Sequence, residues 1–240
     1  LYQFQSVETS TAAQLDETAK SVGESLGKGS FVQRAELKGT AECDTPLEAE
    51  FSGTKCVHYS VTVTREYEET YTETDSEGRR TQKTRRGSET IQSNSRSVRF
   101  RLRDSTGAVA VVPDGAEFIT ESSYSQYQPG ETSGASIRIG SFSIGIPAIG
   151  SGRRTIGYKY EERSIPVGRN LYVLGEADDK EGSLTVRRPS DKKEKFIVSV
   201  KSEEDLVAGA KSSVKWLGVA SIVLAAAGVA MAVASFFVGG

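Results

Sequence analysis

The stretch from Trp216 to Gly240 constrains this chain more than any other. It carries no charged residue and runs through Ile222-Val223-Leu224, an alanine-rich middle and Phe236-Phe237. Roughly 20 apolar residues in a helix cross a bilayer core about 30 Å thick. Backbone in lipid must satisfy its own hydrogen bonds, so a stretch like this reads as a spanning helix. Trp216 at one end and the phenylalanine pair near the other suit the two interfaces. The bland alternative is a buried core helix, but such helices seldom run past about 20 residues without a polar face. The expectation is an integral membrane protein whose folded domain lies ahead of its anchor.

The composition fits an ordinary domain joined to that anchor: 37% hydrophobic, 26% charged, net charge −2. Such a balance argues against bulk nucleic-acid binding, which favours a strongly basic domain. Two cysteines, Cys43 and Cys56, and one histidine, His58, cannot complete a four-ligand zinc site without carboxylates. A Cys43–Cys56 disulfide would need an oxidising compartment; two ordinary buried thiols are the simpler expectation. The chain starts at Leu1, and Leu1-Tyr2-Gln3-Phe4 reads as the end of a removed segment, a signal peptide or a first membrane helix.

Ser10 to Leu26 has helix spacing, with Leu15, Ala19, Val22 and Leu26 on one stripe, a Ser10 or Thr11 cap, and Gly27 as stop. Phe31 to Ala41 alternates as a strand, and Pro46 to Gly53 reads as a loop. Lys55 to Tyr71 has the clearest period of two. Val57, Tyr59, Val61, Val63, Tyr67 and Tyr71 share one face; His58, Ser60, Thr62, Thr64, Glu66 and Glu68 share the other. Its second half is acidic, and after the turn signal Asp75-Ser76-Glu77-Gly78 the charge reverses at Arg79, Arg80, Lys83, Arg85 and Arg86. A hairpin about that turn sets acids against bases, a favourable cross-strand arrangement. The sharper reading, a free phosphate-binding patch, is weakened by the neighbouring acids and by the lack of interleaved aromatics.

Further strands are expected over Val98–Leu102, Ala108–Val112, Thr155–Pro166, Arg169–Ala177, Ser183–Arg188 and Lys195–Val200, and a loop over Ser122–Gly134. Ala135 to Gly150 is rich in Ile, Gly and Ser and holds one charge, Arg138. A plain core hairpin accounts for it; a membrane-surface loop using Ile137, Ile139, Phe142, Ile144 and Ile146 is the sharper alternative. Ser202-Glu203-Glu204-Asp205 opens a helix, with a serine cap and acids at the positive end of the dipole. The fold class is mainly β (α+β). A multi-stranded antiparallel domain carries an N-terminal helix and a C-terminal helix continuing into the membrane. Residues 1–29 form the tail and first helix, 30–201 the β domain with a charged hairpin at about 62–100, and 202–240 the juxtamembrane and spanning helix.

Three segments together resemble the GIDE, or beside-a-membrane, domain found in a mitochondrial membrane-anchored ubiquitin ligase. The first is Ala35-Glu36-Leu37-Lys38-Gly39 leading through Pro46-Leu47 to Gly53–Tyr59. The second is Val98–Leu102 with Asp104-Ser105-Thr106-Gly107 and Val109–Ala116. The third runs from Tyr158–Glu162 through Ile165–Gly168 and Leu171–Glu176 to Phe196–Ser199 and Ser202-Glu203-Glu204. The resemblance covers about residues 30–240. It implies a first membrane helix before the domain and a domain lying close to the bilayer. It does not carry the ligase activity over. In the mitochondrial enzyme a zinc-binding RING follows the second membrane helix, and this chain cannot supply eight Cys/His ligands. The chain is similar to RING-less prokaryotic members.

No catalytic residue, cofactor site or metal site is expected. His58 is placed on a polar strand face beside Ser60, with no carboxylate in a position defined by a motif, and no glycine-rich phosphate loop is present. Two functions remain. One is a membrane-anchored binding or scaffold module; the other is the substrate-recognition part of an E3 ubiquitin-ligase-like system whose RING lies elsewhere. The expected partners are the lipid bilayer and either other membrane proteins or a second copy, with no nucleic acid. Ser221 and Ala225, and Gly228 and Ala232, stand four apart, a spacing of small residues that lets helices approach. Lys211 and Lys215 before the span lean towards a domain on the cytoplasmic face of a prokaryotic cell membrane; the resemblance points to the outer face.

Overall fold

A computed structural model describes residues 8–130, the backbone of 136–139 and 142–145, residues 153–202, and residue 205. The chain divides into two units, Leu1–Val200 and Lys201–Gly240. The first unit is mainly β, with barrel-like sheets and one N-terminal helix.

Helix α1 spans Ala12–Leu26 and β1 spans Val32–Glu42. After them come β2 (Leu47–Glu48), β3 (Lys55–Thr74) and β4 (Arg80–Ser97). Next are β5 (Phe100–Arg103), β6 (Ala108–Val111), β7 (Glu117–Ile119) and β8 (Glu121–Pro129). A short hairpin, β9 (Ser136–Ile139) and β10 (Phe142–Gly145), leads on to β11 (Arg153–Pro166). The last strands are β12 (Asn170–Asp178), β13 (Thr185–Arg187) and β14 (Ile197–Ser199).

Five strands close a barrel in the order β1-β5-β6-β13-β12, with β12 returning to β1. The β6–β13 pair is parallel, and so is the β14–β7 pair that extends the sheet from β12. The expectation of antiparallel pairing throughout is therefore corrected at these two places. The crossing connections make this a Greek-key barrel of the small five-stranded kind. Its interior holds Leu37, Phe100, Leu102, Val111, Val173 and Val186, all buried. Where β1 passes β5, a Cβ on Gly39 would lie 2.5 Å from the Arg103 carbonyl oxygen, so only glycine fits. Helix α1 lays Ala12, Leu15 and Ala19 on the barrel core. Burying Leu15, 1% exposed, stabilises that contact by about 1.5–3 kcal/mol.

The second sheet runs β2-β3-β11-β8, with β4 also pairing β3. Its core gathers Phe51, Cys56, Tyr59, Val61, Val63, Tyr158 and Tyr160. Two sequence expectations change here. Val57 and Tyr59 do not share a face. His58 sits opposite Ile165 but Cys56 sits opposite Pro166, which leaves Val57 as an extra residue in a bulge. Val57 then joins the barrel core while Cys56 and Tyr59 join the second core. The strand is buried on both faces at this junction, so His58, expected on a polar face, is only 4% exposed. The segment expected as a loop over Ser122–Gly134 contains β8, which pairs with β11 from Glu121 to Pro129. Its polarity reflects an edge position: from Ser125 on, its side chains are exposed while its backbone pairs on one side. The short β2 pair likewise interrupts the loop expected over Pro46–Gly53.

In the second unit, Ser202 Oγ accepts a hydrogen bond from the Asp205 backbone N–H at 3.2 Å, the serine cap expected there. No described helix is long and apolar enough to cross a membrane, and Trp216–Gly240 lies outside the described residues.

Candidate functional site

The residues singled out in the sequence fall only in part among the described residues. Ser221, Ala225, Gly228 and Ala232 lie outside the described residues, and so does Ile146. Ile137, Ile139, Phe142 and Ile144 fall in the β9–β10 hairpin, with Ile139 opposite Phe142 and Ile137 opposite Ile144. Cys43 and Cys56 are free thiols. Burial and the nearby charge of Glu162 push the Cys56 thiol up to about 11, so it is unreactive at neutral pH. Among the described residues no group of three or more His, Cys, Asp or Glu could hold a metal ion. His58 packs its ring flat on Phe118, with centroids 3.6 Å apart, and its Nδ1 is buried without a partner. Burial pushes its pKa down to about 4, against the upward pull of a hydrogen bond to the Arg96 backbone. A neutral imidazole stacked on Phe118 acts here as a packing element.

The charged hairpin is present, and β11 makes it a three-strand network. Glu68 sits opposite Arg86 and Glu69 opposite Arg85 across β3 and β4. Each acid also meets an arginine of β11: Arg154 at 2.8 Å from Glu68, and Arg153 at 3.2 Å from Glu69. Hydrogen bonds from Arg154 and Arg86 hold the Glu68 carboxyl below the ordinary carboxylate range, and Arg85 and Arg153 do the same for Glu69. Arg153 also lies over the Tyr67 ring, 4.6 Å from its centroid. These four arginines are engaged by acids, which weakens the reading of the hairpin as a free anion-binding patch.

Among the buried charges that the sequence pattern does not mark, Arg65 and Glu162 lie in the second sheet. Arg65, 3% exposed, stands on the apolar face of β3. It donates to Thr155 Oγ1 at 2.9 Å and to Glu89 at 2.7 Å. Glu162 is fully buried and accepts from Phe51 N at 2.6 Å, Ser52 Oγ at 2.6 Å and Ser123 Oγ at 2.7 Å. It thereby fixes the turn after β2 onto β11 and β8. Both groups, with their hydrogen bonds satisfied, hold the sheet in place.

A groove of about 930 Å³ lies beside α1. One wall is the helix, which is well defined at its start. Thr11 Oγ1 accepts from Gln14 N at 3.2 Å and Gln14 Oε1 accepts from Thr11 N at 2.8 Å, a capping box. The next free N–H, of Ala12, donates to Asp104 at 2.7 Å, which ties the helix to the β5–β6 turn. Burial alone would raise the Asp104 carboxyl, but hydrogen bonds from Thr106, Ala12 and Gly107 outweigh it and hold it below its ordinary value. The floor of the groove is small and apolar, with Ala108 and Ala110 of β6, and Leu184 closes one side. Glu17, Lys20 and Glu24 rim the helix wall, and Arg101 lies on the barrel side. No sequence motif signals this groove, because its walls come from segments about 90 residues apart.

No curated protein and no solved structure matches the chain. The profile of the GIDE family, described as E3 Ubiquitin ligase, matches residues 68–233, from the hairpin through the barrel strands β5, β6, β12 and β13 and the adjoining β14 and on into the apolar C-terminal stretch. That match covers well over half of the chain and takes in the second and third of the segments that resemble the GIDE domain, while the first, Ala35–Tyr59, lies ahead of it; the chain belongs to the GIDE family.

Proposed function

We propose that this protein is a membrane-anchored binding or scaffold module of the GIDE family, without a catalytic site of its own. The observation that carries this reading is the uncharged stretch Trp216–Gly240 following a compact β domain, joined to it by a capped helix start at Ser202. With two cysteines and one histidine, these 240 residues cannot form an eight-ligand RING. In this reading Ile137, Ile139, Phe142, Ile144 and Ile146 rest on the bilayer surface. Ser221, Ala225, Gly228 and Ala232 form the small-residue face by which the spanning helix meets another membrane helix or a second copy. Lys211 and Lys215 favour a domain on the cytoplasmic side.

The family's description as an E3 ubiquitin ligase favours a second reading, in which the β domain recognises substrates for a RING supplied by another protein. Crosslinking in native membranes, followed by partner identification, separates the two. Stable recovery of membrane partners without a RING-type protein supports the scaffold reading. Stoichiometric recovery of a RING-type protein overturns it in favour of the second.

A further inference from the structure

We propose that the groove between α1 and the β5–β6 face docks an extended protein segment carrying two basic side chains three residues apart. The proposal stands on the groove alone and does not depend on the membrane anchor.

The charges around the groove decide the sign of the partner. Lys20 is held by Asp16 at 2.6 Å, and Arg101 is held by both oxygens of Asp44 at 2.7 and 2.8 Å. Both basic groups of the groove are thus already neutralised. Glu17 and Glu24 line the same wall, are exposed, and have no ion-pair partner among the described residues. The groove therefore presents two uncommitted carboxylates and no uncommitted cation, which excludes acidic peptides and nucleic acid and favours a basic occupant.

The spacing decides the partner's form. Glu17 and Glu24 are seven residues apart, two helical turns, so they share one face and lie roughly 10 Å apart along the axis. In an extended segment of polyproline II conformation, with three residues per turn, side chains three residues apart share one face and lie roughly 9 Å apart along it. The floor decides its bulk. Ala108 is exposed and Ala110 half-buried, so a backbone can approach β6 closely, with small apolar residues between the two bases. Leu184, half-buried at the side, offers an apolar contact at one end.

The test uses the full chain in a non-ionic detergent and a fluorescein-labelled peptide, Ala-Lys-Ala-Ala-Lys-Ala, read by fluorescence anisotropy. The comparator is the same peptide with glutamate for lysine. The lysine peptide is expected to bind and the glutamate peptide to fail. The double substitution Glu17→Lys/Glu24→Lys, on the exposed helix face, is expected to weaken binding about three- to tenfold. Ala110→Gln, which fills the floor, is expected to weaken it as well. Glu77→Lys at the hairpin turn, outside the groove, is expected to leave it unchanged. Circular dichroism checks that each variant keeps its fold. Equal binding of both peptides overturns the proposal. So does a lysine-peptide affinity unmoved by the double reversal, or lowered equally by Glu77→Lys. Concentration-dependent self-association lost in the double reversal assigns the groove to a second copy and also overturns it.

Discussion

His58 makes the pH dependence of stability calculable at one residue. In the folded chain its pKa is pushed down to about 4 from an ordinary 6.5. The unfolded chain therefore binds a proton at His58 between these values while the folded chain does not. Stability rises with pH wherever the unfolded state holds more protons, so this group's contribution is complete above pH 6.5 and is lost as pH falls towards 4. At about 1.4 kcal/mol per unit, the whole loss is about 3 kcal/mol. His58→Phe is the matching perturbation. It keeps a flat ring against Phe118, removes the orphan Nδ1, and gives up one hydrogen bond to the Arg96 backbone. The assay is urea unfolding of both proteins in non-ionic detergent from pH 7.5 to pH 4. Near pH 7.5 the two stabilities should agree within about 1 kcal/mol, the worth of that hydrogen bond. Towards pH 4 the wild type should fall behind the variant by about 3 kcal/mol. Parallel curves across the whole range would refute the reasoning, because they would mean that the imidazole is not held neutral by burial.

Glu162→Ala should destabilise the chain by about 3–5 kcal/mol, because it strands Phe51 N–H and the hydroxyls of Ser52 and Ser123. Glu162→Gln should cost about half as much, since the hydroxyls can turn to accept from its amide; equal losses in denaturant titrations would contradict this. Arg85→Glu with Arg86→Glu should lower the melting temperature, and adding Glu68→Arg with Glu69→Arg should recover only part, because Arg153 and Arg154 would then face arginines. Full recovery would mean that β11 contributes nothing to the network. The Glu68 and Glu69 carboxyls are held below their ordinary range, so the network's contribution is present above that range and is lost as pH falls through the folded values. Cys43 is half-buried and Cys56 fully buried. A membrane-impermeant maleimide should therefore label Cys43 in the native fold and Cys56 only after denaturation. Labelling of Cys43 in intact cells would place the domain outside and overturn the cytoplasmic reading.

Local periodicity revealed what depended on local periodicity. From Tyr59 to Val63 the alternation gives the buried face of β3 correctly, and the reversal of charge around Asp75–Gly78 gives the hairpin. It failed where a long-range partner sets the environment. The bulge at Val57 shifts the strand's phase because β11 skips a residue there, and nothing in Lys55–Tyr59 marks it. β8 reads as a loop because an edge strand with exposed side chains needs no apolar face. Arg65 is tolerated in an apolar stripe because Thr155 and Glu89, far off in sequence, satisfy it. The groove at α1 was invisible for the same reason: Asp104 fixes Ala12 across 92 positions. Barrel closure through β1 and β12 likewise joins segments that only the fold brings together.

The central claim, a domain held to the bilayer by Trp216–Gly240, is tested most directly by alkaline carbonate extraction. Membranes from cells producing the full chain are compared with membranes from cells producing a chain ended after Lys215. The account predicts that the full chain stays in the membrane pellet through high pH, while the shortened chain moves to the supernatant. Release of the full chain into the supernatant, or retention of the shortened one in the pellet, would contradict it.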